Sequence, residues 1–426
     1  MNNNFISIIK TASNYKREKE IYKAVEKGFE DLGLDKKNPF KDLIKIGDKV
    51  VIKPNLVLHF NSCGFNVNSV ITQAVVIKPI VDAVIKAGGK IIIADAPQMN
   101  ADFEEIIRKN GLKEMIDSYK KNGISIELLD LRRERTIYKT GVIWKRVKLK
   151  GDPLGYTEID LKEKSEMVGI DPCKLYGADY NRKETELAHS NGHHKYYVAN
   201  TILNADVLIS VPKMKVHRKA GVTLNLKNMV GVNGNKNNII HYEVGRDEYS
   251  KSDFISKCDR WLKDLLLSKK RWSVGKYIYA PWTLIYGLLR NKDVELGGDW
   301  YGNNTIWKSV LDLNRIIMYA NKEGKVKKKI QRKYFSVVDG IIGGEGEGPL
   351  GPTPKKCGII AMGFNPVLVD YFMTKAMGFD PERIPLIREA MKRKYLVKER
   401  GMLISNDDIN LKMRPSSGWK GHIELK

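Results

Sequence analysis

The sequence predicts an α/β protein: a mixed, mostly parallel sheet with helices on both faces, an inserted β-rich element and a helical insertion. Three observations predict it. First, short β-rich runs bounded by breakers recur at VVIKPN (50–55), KIIIAD (90–95) and VLISV (207–211), the signature of buried parallel strands. Second, stretches with apolar residues at helical spacing separate the early runs, which makes strand–helix–strand units. Third, from 131 to 195 the texture changes to polar alternation, as in hairpins.

The elements follow in order. FISIIK, near the start, is a first strand. Residues 16–32 carry helical spacing through Ile21, Ala24, Val25, Phe29 and Leu32. VVIKPN ends in Lys53 and Asn55 at a strand tip, and NSCGFNVN (61–68) is a polar loop able to close over a site. Thr72 is the expected cap of a helix with a Val76, Ile80, Val84, Ile85 stripe that stops at Gly88-Gly89. KIIIAD puts Asp95 at its carboxyl end; a helix over 102–121 and a strand over 124–128 complete an N-terminal lobe, 1–130.

The inserted element, 131–195, holds His189, His193 and His194. Adjacent histidines on a strand point to opposite faces, which favours a substrate-contacting loop over a metal pair. Segment 196–250 is the centre of the chain. VLISV ends at Pro212, and Lys213, Lys215, His217, Arg218 and Lys219 follow within seven residues. Then come Gly221 and a helix over 223–230 with Asn225, Lys227 and Asn228. Alternation puts Lys213, Lys215 and His217 on one face of an extended segment. Lysines ahead of a helix N-terminus suit an anion; the competing reading is a solvated basic loop.

Segment 251–333 is the helical insertion. Its RWSVGKYIYAPWTLIYGLLRNK stretch is apolar, aromatic and flanked by basic residues, and Pro281 is expected to break it. An anionic membrane surface at 272–290 is one reading; a buried hairpin or a dimer contact is the other. GGDWYGNNTIW (297–307) is a tight turn with Asp299, and Asn304 or Thr305 is the expected cap of the helix after it. In 334–426, YFSVVD ends at Asp339. A Gly/Pro-rich loop with Glu345 and Glu347 follows, then strand CGIIAMG and a helix that begins at Pro366 and contains Asp370.

With 426 residues the chain can bury a large core, and a formal charge of +24 favours acidic partners without choosing among them. The four cysteines are scattered, so neither a zinc knuckle nor an iron–sulfur run is signalled, and a reduced, cytoplasmic setting is expected. No signal peptide and no spanning helix are predicted.

Taken together, PKMKVH with GVTLNLKNMVGVNG, the GGDWYGNNTIW turn and VVDGIIGGEGEGPLGPTP resemble the domain-of-unknown-function family 362. The likeness is to its bacterial members found in surface-polysaccharide gene clusters, and it spans Lys53 to the helix containing Asp370. The family's chemistry is unassigned, so the resemblance implies a fold and positions rather than a reaction. Some relatives add a ferredoxin-like module, which nothing here matches, so no iron–sulfur cluster is expected. The residues that match are Lys53, Asn55, Asp95, Lys213, Lys215, His217, Asn225, Lys227, Asn228, Asp299, Asp339, Glu345, Glu347 and Asp370.

The functional expectation is an enzyme acting on an anionic substrate, either a glycan or a lipid-phosphate-linked molecule, in surface-polysaccharide metabolism. His217, Glu345, Glu347 and Asp339 are the expected proton-transfer groups. Lys53, Asn55, Asp95, Lys213, Lys215, Asn225, Lys227, Asn228, His194 and Asp299 are the expected substrate contacts. Asp339 with Glu345 would hold a hard cation such as Mg²⁺ through oxygen ligands. Two alternatives stand beside this: a non-catalytic binder of acidic polymer or nucleic acid, for which no nucleic-acid signature appears, and a membrane-surface assembly protein, with the chain on the inner membrane face.

Overall fold

A computed structural model describes residues 4–139, 142–177, 182–247, 254–267, 271–289, 297–397, 403–405 and 408–425. Its centre is a ten-stranded sheet. From one edge the strands run Leu403–Ile404, Phe5–Lys10, Thr353–Gly363, Lys333–Glu345, Val207–Val211, Lys49–Pro54, Lys90–Asp95 and Ile126–Asp130. The last five of these are mutually parallel. Thr353–Gly363 is antiparallel to both its neighbours, so the sheet is mixed. The first strand pairs with residues 353–363, with Ser7 opposite Met362. Segments 1–130 and 334–426 therefore share one sheet.

Strand alternation sorts the core into two layers. Val50 and Ile52 pack on one face with the helices Glu18–Asp31 and Ala74–Lys86; Val51 packs on the other with Ile306–Tyr319 and Pro366–Met377. Val207, Ile209 and Val211 against Leu208 repeat the division one strand over. Helices on both faces are what continuous apolar strands require.

Several local expectations give way to backbone geometry. Asp339 does not end its strand, which continues to Glu345 as a thirteen-residue element. Its first half pairs with Val207–Val211, and its second with the strand Lys213–His217. Gly344 permits the second pairing: a Cβ there would lie 2.8 Å from both the Lys215 Cβ and the Ser69 carbonyl. The expected glycine loop is therefore partly a close-packed strand.

Thr72 is not a helix cap; its hydroxyl donates to the Val211 carbonyl at 2.7 Å and accepts the Asn55 N–H. Thr305, one of the two expected residues, holds the N-cap position of Ile306–Tyr319, but the capping acceptor is Asn303, whose Oδ1 accepts from the N–H groups of Thr305 and Ile306. Pro281 lies exposed inside the helix Trp272–Leu289 and does not break it. In the inserted element, Glu134–Lys139 and Val142–Lys148 form a hairpin. Tyr156–Asp160, by contrast, pairs with the distant Lys195–Ala199.

Candidate functional site

The chain leaves Lys49–Pro54 for Lys90–Asp95 on one side, and leaves Val207–Val211 for Lys333–Glu345 on the other. A switch point therefore lies between Lys49–Pro54 and Val207–Val211. Open α/β sheets have a crevice beyond the carboxyl ends of strands at such a point. Here a cavity of about 460 Å³ opens there. Its walls include Asn55, Asp95, Lys215, His217, Lys227 and Asn228. Asp299 and the segment Glu347–Leu350 also line it.

Asn228 ties the two strands together across the switch. Its Nδ2 donates to the Lys53 carbonyl at 3.0 Å and to Ser210 Oγ at 3.1 Å, while its Oδ1 accepts from Lys53 Nζ at 3.1 Å. The short helix Asn225–Asn228 that carries it is held by buried Asp370. One Asp370 oxygen accepts the Asn225 N–H at 2.8 Å, and the other accepts the Leu226 N–H at 2.8 Å. Burial raises the Asp370 carboxyl to about 7 against those N–H groups. Gly231 lies directly over the Lys53–Asp95 pair: a Cβ there would fall 2.0 Å from Asp95 Oδ1.

A charge ledger identifies what the cavity lacks. Lys53 pairs with Asp95 at 2.7 Å, Lys213 with Asp339 at 3.1 Å, Lys219 with Asp299 at 2.7 Å, and Arg218 with Glu347 at 2.9 Å. Three lysines on the lining have no carboxylate partner among the described residues. Lys215 donates only to the Val70 carbonyl, at 2.6 Å. Lys236 reaches the carbonyls of Ala96 and Val230, both at 3.0 Å. Lys227 is 8% exposed and makes no hydrogen bond or ion pair with the described residues. Burial, then Lys219 and Lys53, push Lys227 down to about 8; burial pushes Lys236 down to about 7 against the pull of Asp95. Burial, then Lys213 and Lys227, hold Lys215 well below the usual lysine range.

These shifts fix a pH dependence. Each lysine has a lower pKa folded than unfolded, so between about 7 and 10.5 the unfolded chain binds more protons and stability rises with pH. The limiting slope is about 1.4 kcal/mol per pH unit for each group. Urea melts of the ligand-free protein from pH 7 to about 9.5, below unfolded tyrosine ionisation, are expected to gain stability. A saturating anion is expected to flatten the curve.

Two imidazoles face the cavity in complementary forms. His217 Nδ1 accepts from the N–H groups of Lys219 at 3.1 Å and Ala220 at 3.3 Å, so Nε2 carries the proton. His241 Nδ1 lies 2.9 Å from the Ile239 carbonyl, which only accepts, so its Nε2 keeps the lone pair. Burial and the surrounding lysines push His241 down to about 3 and His217 well below the imidazole range; both are neutral. His217 is therefore built to donate a hydrogen bond rather than take a proton, which revises its expected role. His241 is the accepting partner.

Other expected residues lie elsewhere. Lys213 turns away from the Lys215–His217 face because the register shifts between Lys213 and Lys215. It is buried against Asp339 and the Tyr15 hydroxyl, off the cavity lining. Asp339 also accepts from Tyr15 and from the Gln73 N–H, so its oxygens are occupied. Glu345 faces Arg414 at 2.9 Å and Lys355 at 3.1 Å. Although burial opposes it, these donors hold Glu345 below the carboxylate range. Six residues along one strand, at roughly 3.3 Å each, separate Asp339 from Glu345 by nearly 20 Å. They cannot share one cation. Among the described residues no cluster of three or more His, Cys, Asp or Glu side chains is placed for a metal. His194 packs on His189, their Nδ1 atoms 3.3 Å apart, away from the cavity. Lys53 and Asn225 lie beneath the lining as supports.

Sequence reasoning passed over Lys236 and gave His241 no role; both lie in the polar loop NGNKNNIIHYEVG. The signal was a basic or imidazole side chain in a loop adjoining the central helix. It also missed Arg132, which is 3% exposed and donates to the carbonyls of Gln98 and Ala101, both at 2.8 Å. That fixes a stretch of the cavity wall.

No curated protein matches the chain. A solved structure of a Thermotoga maritima protein, from a structural-genomics consortium, is similar over 83% of this chain and 56% of its own, with 12% identity and a TM-score of 0.35. The chain thus spans little more than half the length of that protein. The family model for the domain of unknown function DUF362 matches residues 50–157 and 154–375, which takes in the switch-point strands, the lysine–histidine turn and the helix of Asp370. The chain belongs to the DUF362 family.

Proposed function

We propose that the protein is an enzyme that binds a multiply charged anionic substrate, a phosphate-bearing glycan or lipid-linked glycan of bacterial surface-polysaccharide metabolism, in a cytoplasmic setting. One observation carries the reading: buried Lys215 and Lys227 and half-buried Lys236 face a cavity in which, among the described residues, none of the three is ion-paired to a carboxylate. Isolated buried ammonium groups are costly, and a ligand that neutralises them recovers that cost on binding. Lys215, Lys227 and Lys236 hold the anion. His217 Nε2–H donates to a substrate oxygen, and His241 Nε2 accepts from a hydroxyl. Substrate charge beside the lysines raises the basicity of His241 and suits it to proton abstraction.

The limited volume of about 460 Å³ supports a small molecule or a chain terminus over a polymer lying along a groove. This favours the enzyme over a binder of acidic polymer or nucleic acid. Incubation with sugar phosphates, nucleotide sugars and prenyl-phosphate-linked glycans, followed by mass spectrometry, tests it. A product that disappears in His241→Ala is expected. Tight binding across the set with no mass change in any would leave a binder.

A further inference from the structure

The helical insertion carries a second feature, independent of the chemistry in the cavity. Phe254–Leu266 and Trp272–Leu289 pack against each other, and the second also packs on the Val142–Lys148 strand, with Leu267, Tyr279 and Val142 in one buried cluster. The pair is anchored by polar contacts on its inner side. Trp272 Nε1 donates to the Ile143 carbonyl at 2.6 Å and Lys276 Nζ to the Trp144 carbonyl at 3.1 Å. Asp264 accepts from Tyr176 at 2.7 Å and Arg182 at 2.6 Å.

Its outer side inverts the usual surface rule. Val274, Ile278, Pro281, Ile285 and Leu288 recur at steps of four, three, four and three, one stripe of a helix, and all are exposed. Leu288 is 87% exposed, and Trp261 and Phe254 on the neighbouring helix are 63% and 78% exposed. Soluble monomers rarely leave so continuous an apolar face open.

We infer that this face docks on an anionic lipid bilayer, with the Trp272–Leu289 helix lying in the headgroup plane. Charge selects the occupant. The chain carries +24, Lys269-Lys270-Arg271 join the two helices in sequence, and Arg290 and Lys292 follow. A second copy would bring like charges together, whereas an anionic surface attracts them. Composition agrees. Trp261 and Tyr277 are exposed beside the stripe, while Trp272 and Trp282 are turned to inner contacts with the Ile143 carbonyl and Asp259. Amphipathic aromatic rings of this kind settle at the membrane–water boundary. Among the described residues no helix is long and apolar enough to cross a membrane, so the geometry is surface attachment. The hairpin also adjoins the cavity wall: Tyr176, bonded to Asp264, stacks on Tyr242 with ring centroids 4.8 Å apart, and Tyr242 lines the cavity. A docked hairpin would hold the cavity within reach of lipid-borne substrate.

Flotation of the full chain with vesicles of phosphatidylglycerol and phosphatidylcholine tests this, since neither lipid carries a glycan. Wild type is expected to float with mixed vesicles, and Ile278→Glu/Ile285→Glu to lose about tenfold or more in partitioning through lost apolar burial and added repulsion. Both positions are exposed, so an unchanged circular dichroism spectrum confirms the fold of the variant. In wild type, brominated lipid is expected to quench tryptophan fluorescence. Failure of wild type to float, equal flotation of the variant, or self-association in ultracentrifugation that the variant abolishes without any vesicle binding would each overturn the inference. Because no substrate is present, none of these results bears on the cavity.

Discussion

Asp339→Ala is expected to lower the unfolding free energy by about 3–5 kcal/mol, the range for removing one partner of a buried ion pair. Asp339 and Lys213 are each fully buried. The substitution strands the Lys213 ammonium in the core and leaves the Gln73 N–H and Tyr15 hydroxyl without their acceptor. It acts on the seam between Phe5–Lys10's following loop, the strand Lys333–Glu345 and the start of Ala74–Lys86. Replacing both partners, Lys213→Met with Asp339→Leu, is expected to cost much less than either single change, because apolar groups of similar size need no counter-charge. Urea denaturation of the three variants measures this. A stable Asp339→Ala protein that has lost only activity would return Asp339 to the chemistry the sequence suggested for it.

That reversal shows where sequence reasoning stopped. Strand runs bounded by breakers located VVIKPN, KIIIAD and VLISV, since continuous apolar strands need helices on both faces whatever their order. The strand order itself is non-local. That Phe5–Lys10 would pair with residues 353–363 is a long-range choice with no local signature. Lys213 and Lys215 look equivalent in sequence because both alternate in an extended segment. A shift of register against Lys333–Glu345 sends one into an ion pair and leaves the other on the cavity. Period-two logic cannot foresee a bulge. Glu345 and Glu347, two residues apart, part company similarly: Glu345 is taken by Arg414 and Lys355, while Glu347 stays on the lining with Arg218. Tautomers were beyond reach as well, because those of His217 and His241 depend on backbone groups that only the fold supplies.

The second large effect separates binding from folding by sign. Lys227→Met is expected to weaken binding of inorganic pyrophosphate by about 10- to 150-fold, the equivalent of one charge-assisted hydrogen bond at roughly 1.5–3 kcal/mol. The same change is expected to stabilise the ligand-free protein at pH 7, because it removes a buried cation that has no partner among the described residues and relieves repulsion from Lys219 and Lys53. Methionine keeps the apolar stem, so little packing is lost. Lys215→Met should weaken binding similarly but gain less stability, since the Val70 carbonyl loses its donor. Arg218→Met at the rim, where the side chain is 44% exposed and paired with Glu347, should change affinity by no more than a few-fold, as exposed pairs contribute little. Calorimetric titration alongside urea melts gives both quantities for each variant. A lysine kept for structure would lose stability and affinity together. One kept to meet an anion trades the first for the second, and an affinity unchanged in Lys227→Met would remove the anion from this cavity.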